Sequence, residues 1–217
     1  MNLVSIQIGL PKTYGDTDSD DPDQKSWTTG IFKHPIEGWA QVHHETIAGD
    51  GVADLTCHGG VDKAILAYSA DHFESWQSEL ASIDQVTGGM FGENLTVSGL
   101  DETTVCIGDR FQINDVVLEV SQPRQPCWKL ARRWGVKTLP KRVVQSGRCG
   151  WYLRVITPGQ IKAGLPITLL SRTQPDWTIK RSHETMHAKN GDQQIRNQLA
   201  DLPELAAALA SDLRARG

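Results

Sequence analysis

A cysteine braced by two prolines and flanked by cations is the residue in this chain best placed for chemistry. Residues 121–130 read Ser-Gln-Pro-Arg-Gln-Pro-Cys-Trp-Lys-Leu, with Cys127 bracketed by Arg124 and Lys129 and followed by Arg132 and Arg133. A thiol acts as nucleophile or metal ligand only as the thiolate, and nearby cations and a helix N-terminus both favour that form. Pro123 and Pro126 fix φ and keep their predecessors out of the helical region, so the backbone before Cys127 is expected to be stiff and extended. The plainer alternative is a buried cysteine in a strand-to-helix turn.

A second unusual stretch lies upstream, where Cys57-His58-Gly59-Gly60-Val61-Asp62-Lys63-Ala64 gathers His, Asp and Lys around two glycines. Paired glycines permit positive φ or a close backbone approach to a ligand. Cys57 and His58, taken with His43 and His44, raise the idea of zinc, but neither pair has the spacing of a ligand loop. A third stretch, Phe91-Gly92-Glu93-Asn94-Leu95, reads as a tight turn entering a strand.

Net charge conceals an internal division. Residues 1–109 carry 4 Lys and Arg against 18 Asp and Glu, a balance of −14, whereas residues 110–181 carry 14 against 3, a balance of +11. Such asymmetry suggests that the middle segment holds something anionic, or else that a basic face is neutralised by the acidic half. Its cations are spread over strands and short helices without an aromatic stacking pattern, which argues for a phosphorylated cofactor over nucleic acid. There is no apolar run near the roughly 18 residues of a membrane span and no secretion signal, and four scattered cysteines without a C-x-x-C pair fit a reduced, cytoplasmic protein.

The elements that must position these residues are mostly short strands. Strands are expected at Leu3–Gly9, Trp39–His43, Ala64–Tyr68, Trp151–Ile156 and Ile167–Leu170, with a hairpin of Phe111–Ile113 and Val116–Val120 across Asn114-Asp115. Ser69 caps a helix over 70–81, whose Phe73, Trp76 and Leu80 face the core. Further short helices run from Cys127 to Gly135 and from Thr138 to Gly147. The aspartates of 16–23 make a polar surface loop, predicted to be mobile. The fold class is therefore mainly β, a closed barrel over residues 1–172 with a few short helices. Residues 173–217 read as three short helices, expected to form a separate unit that offers a partner surface and places His183 and His187 on a solvated face.

Taken in order, these three motifs resemble those of a MOSC domain, and the Trp151–Arg154 strand with the helical tail is similar to its bacterial YiiM-like branch. The resemblance covers the chain from about Lys33 onward, excluding the acidic loop. It implies a β-barrel related to the pyruvate kinase β-domain and binding of the molybdenum cofactor, with Cys127 bonded to the metal. It also implies detoxifying reduction of N-hydroxylated compounds such as hydroxylaminopurines, with electrons from a separate flavin-containing reductase. Residue chemistry agrees: Cys127 offers a soft thiolate, Arg124, Lys63 and Arg154 can contact phosphate, and Gly59 and Gly60 can present backbone N–H groups. His58, Asp62 and Asn94 can hydrogen-bond a pterin. His58 and Asp62 also suit local loop closure, Asn94 equally suits a left-handed turn, and Arg154 can simply extend its charge out of the barrel. A cofactor carrier without turnover, and a metal-free thiol enzyme, remain the alternative functions.

Overall fold

The structure is a computed structural model that describes residues 1–54, 56, 58–188 and 191–215. Its strands are β1 (Asn2–Ile8), β2 (Lys12–Tyr14), β3 (Trp27–Thr29), β4 (His34–Pro35), β5 (Trp39–Val42), β6 (Ile65–Ser69), β7 (Leu95–Ser98), β8 (Arg110–Ile113), β9 (Val116–Pro123), β10 (Trp151–Thr157), β11 (Gly159–Lys162) and β12 (Thr168–Ser171). The α-helices are α1 (Phe73–Glu79), α2 (Trp128–Trp134), α3 (Leu139–Ser146), α4 (Ile179–His187), α5 (Gln193–Ala200) and α6 (Ala207–Ala215). Single 3₁₀ turns occupy 61–63 and 70–72. Among the described residues no helix is long and apolar enough to cross a membrane.

Eight strands form one curled sheet in the order β12-β8-β9-β10-β6-β7-β1-β4, while β11 pairs with β5 and β2 with β3. The expected barrel does not close: the sheet is a half-barrel with β12 and β4 at its edges. The reason lies where β1 meets the chain before β12. That seam has one isolated bridge, Asn2 to Pro166, with backbone bonds between Leu3 and residues 164–165 and from the Ile167 N–H to the Met1 carbonyl. A proline has no N–H to extend a ladder, and the far end of β1, at Gln7 and Ile8, pairs with β4 instead.

Local chemistry accounts for the elements around the site. The β8–β9 hairpin turns at Asn114, the one non-glycine with positive φ among the described residues. Ser69 caps its helix by accepting from the Asp71 N–H, although the first turn is 3₁₀. α2 and α3 stop at Gly135 and Gly147, both left-handed. The aromatics upstream are core: the Trp76 indole donates to the Tyr68 hydroxyl at 2.6 Å, and Phe91 stacks on Tyr68 at 4.1 Å. Cys106 and Cys149 are buried with their thiol pKa values pushed up by desolvation, as suits inert core residues.

One loop gains detail and one expectation, at His183, changes. The 16–23 segment is a folded loop: Asp16 and Asp21 close turns onto the N–H groups of Asp18 and Asp23, and Asp23 pairs with Lys137 at 2.8 Å. β2 and β3 flank it, a hairpin too short and polar for the period-2 pattern to register. In the C-terminal helices, His183 is buried and not solvated, its Nε2 bonding the Val144 carbonyl at 2.9 Å. Leu199, Leu205, Leu209 and Leu213 belong to one continuous core with the sheet.

Candidate active site

β9 delivers the cysteine motif. It runs buried to Pro123, and the Arg124 N–H continues the pairing by donating to the Gly150 carbonyl at 3.0 Å. After Pro126 the chain reaches Cys127 in an extended conformation, φ −108° and ψ 169°, and α2 starts at the next residue. The proline-braced, pre-helical placement read from the sequence holds. Cys127 is a free, half-buried thiol.

Beside it opens a cavity of about 330 Å³. His58, Gly59, Gly60, Lys63, Asn94, Arg124 and Cys127 all line it, so the structure brings together seven of the nine candidates. Gly60 has φ 79° and ψ 172°, a conformation that only glycine adopts readily, and a side chain there would meet nothing within 4 Å. The glycine is thus required by backbone shape and not by crowding. Burial, reinforced by Lys129 and Lys63, pushes the His58 imidazole below its ordinary pKa, which keeps it neutral at pH 7.

Arg124 carries the most telling feature. It is 4% exposed; Nη2 donates to the Phe91 carbonyl at 2.8 Å, but Nη1 has no partner. A buried charged donor left unpaired is costly, unless a ligand completes it. Asn94 contributes differently. Its amide accepts from the Leu66 N–H and donates to the Gln7 carbonyl and to Asp50, so it ties the wall together.

Asp62 and Arg154 are not brought to the cavity wall. The Arg154 guanidinium clamps Asp62 at 2.8 Å and the buried Glu119 at 2.7 Å, which raises its pKa above the already high ordinary value. Asp62 in turn accepts the Ala207 N–H, and its carbonyl accepts the Ser121 hydroxyl. The two residues therefore fasten the glycine loop to β9, β10 and the start of α6. Both charges are thus engaged with neighbouring residues and do not line the cavity.

The sequence reading overlooked Lys33 and Asp50, which form a buried ion pair in the cavity wall. Desolvation lowers the Lys33 pKa against the opposing pull of Asp50. Gly49-Asp50-Gly51 looked like a turn, and nothing local pairs it with Lys33; only the fold does. Tyr152 and Lys129 also reach the cavity. The zinc idea involves Cys57, which lies outside the described residues; among those described, no three His, Cys, Asp or Glu side chains gather as a metal cage.

Comparison with known proteins follows this geometry. A family model for the MOSC domain matches residues 54–168. The Bacillus subtilis protein YflK is 43% identical over 179 residues, covering 82% of this chain and 77% of that protein. A Gibberella moniliformis protein named "Reductase" is 34% identical over 178 residues; the match covers 81% of this chain but 32% of that longer protein. The crystal structure of YiiM from Geobacillus stearothermophilus superposes with a TM-score of 0.82 at 32% identity, covering 99% of this chain and 98% of that one.

Proposed function

This chain belongs to the MOSC-domain family, and from that premise we propose that it binds the molybdenum cofactor beside Cys127 and reduces N-hydroxylated compounds to amines. The observation that supports this most is the unpartnered Nη1 of Arg124 in the wall of a cavity that also holds a free thiol. An anionic, soft-metal cofactor suits both groups. Arg124 and Lys63 would hold its phosphate, with the Gly59–Gly60 backbone approaching closely and neutral His58 offering a hydrogen bond. Cys127 would supply the protein's thiolate ligand. When bound, the cofactor supplies two-electron reduction of N–OH to N–H, with two protons entering and water leaving. Asp62 and Arg154 hold the loop in place while this happens. The relative named "Reductase" favours turnover over mere carriage. Electrons are assigned to a separate flavin-containing reductase, and the helical residues 173–217 to a C-terminal unit carried on the sheet.

The test is expression in a host that makes the cofactor, followed by metal analysis and assay of an amidoxime or hydroxylaminopurine with an artificial electron donor. Molybdenum near one atom per chain and amine formation are expected. Replacing Cys127 with Ser should bring reduction to background with the melting temperature unchanged, because a hydroxyl is a harder and poorer ligand. Molybdenum without turnover would instead establish a carrier. Full activity without molybdenum would establish a metal-free thiol enzyme.

A further inference from the structure

α4 carries a pattern that the cavity beside Cys127 does not use. It contains His183-Glu184-Thr185-Met186-His187, two histidines one helical turn apart with a glutamate after the first. This H-E-x-x-H spacing puts both imidazoles on one face of a helix, where together they can hold one metal ion. The two rings do meet, with centroids 4.4 Å apart and planes tilted by 52°. Neither histidine lines the cavity beside Cys127. From this juxtaposition we infer that His183 and His187 form a second metal site, a two-imidazole chelate for a divalent transition ion of the copper, nickel or zinc type. The inference does not depend on the reading of Cys127.

His183 supplies an observation independent of the spacing. It is 2% exposed, and its Nε2 lies 2.9 Å from the Val144 carbonyl. A carbonyl oxygen only accepts, so Nε2 carries a hydrogen and the neutral ring has its lone pair at Nδ1. That Nδ1 is buried without a hydrogen-bond partner. A buried acceptor with no donor is costly unless something completes it. Histidine ligands are held in this manner, one nitrogen donating to a backbone carbonyl and the other turned to the metal. Val144 belongs to α3, which is anchored in the core by Leu139 and Val143, so the group that sets the tautomer is itself fixed. His187 is exposed, which gives ion and water an approach, and helical side chains lean toward the N-terminus, so its ring reaches back over His183. Among the described residues no third His, Cys, Asp or Glu joins the pair. Water therefore completes the coordination, and the peptidase chemistry that this motif supports with a third protein ligand is not assigned. Imidazole suits copper, nickel and zinc, with copper(II) bound most tightly. An ion bound only by the folded chain would staple α4, whose Ile179 and Met186 sit in the core.

The experiment titrates the full chain, stripped with a chelator, with copper(II), nickel(II) and zinc(II) salts by calorimetry, and follows the melting temperature. Wild type is compared with His187→Phe, which keeps an aromatic ring at this exposed position but removes its nitrogens, and with Cys127→Ser. One saturable site per chain is expected, tightest for copper(II) and accompanied by a rise in melting temperature. In His187→Phe affinity should fall at least about tenfold, while the metal-free melting temperature stays at the wild-type value. Paramagnetic resonance of the copper form should show couplings from two imidazole nitrogens in wild type and not in His187→Phe. Cys127→Ser should bind as wild type does. Absence of saturable binding, equal affinity in His187→Phe, or loss of the site in Cys127→Ser would each overturn the inference, the last by assigning the ion to the thiol.

Discussion

Arg124 and the cations of α2 come from one basic stretch of sequence and end in opposite circumstances. On α2, Arg132 packs 4.9 Å over the Trp27 ring and donates to the Asp23 and Lys25 carbonyls. Arg133 donates to the carbonyls of Ile31 and Gly89, with desolvation lowering its pKa to about 10, and Lys129 donates to the Thr28 carbonyl. Lys137, just beyond, pairs with Asp23. These groups strap the helix to the acidic N-terminal half. Arg110, Arg148, Arg154 and Arg172 are likewise paired, with Glu119, Glu79, Asp62 and Asp109. Arg124 alone of the arginines leaves a buried donor unmatched among the described residues. Counting charge thus locates a basic segment but not an anion site. Unsatisfied burial is the sharper guide, since solvent cannot complete the missing bond.

Breaking this contrast is most direct at Arg124. Arg124→Met should weaken cofactor retention roughly tenfold to a hundredfold, the worth of charge-assisted hydrogen bonds. Its stability without cofactor should remain within about 1 kcal/mol of wild type, because an uncompensated buried charge is removed together with its bond to Phe91. Metal content and chemical denaturation read the two arms. A large stability loss with retained cofactor would place Arg124 among the straps. The next effect in size is at Arg154, where Met should cost about 2–3 kcal/mol by leaving Glu119 buried with only the half-exposed Arg110. Denaturation of Arg154→Met, Asp62→Asn and the double variant would show strong non-additivity if the clamp acts as one unit. The smallest effect is expected at Lys137→Ala. Its pair with Asp23 is fully solvated, so the melting temperature should not move measurably.

Much of this was legible in the chain. Prolines at 123 and 126 dictated the extended approach to Cys127, glycines at 135 and 147 ended their helices, and the three motifs identified the family, because each depends on neighbours in sequence. β4 and β11 escaped notice, being two and four residues long and defined by partners far away. Local pattern also could not say that Asp62 and Arg154 would turn toward each other, or that Lys33 and Asp50 would meet in the cavity wall.

The sequence by itself determined which residue types were available for chemistry and where the backbone must bend, since propensity, φ restriction and capping act over a few residues. Only the tertiary structure decided which of fourteen cations between 110 and 181 would be neutralised, whether the sheet would close, and that α6 would wall a second cavity beside Cys127. Those outcomes depend on pairing across long sequence separations. There burial removes water as a competing partner and makes each satisfied or unsatisfied donor decisive.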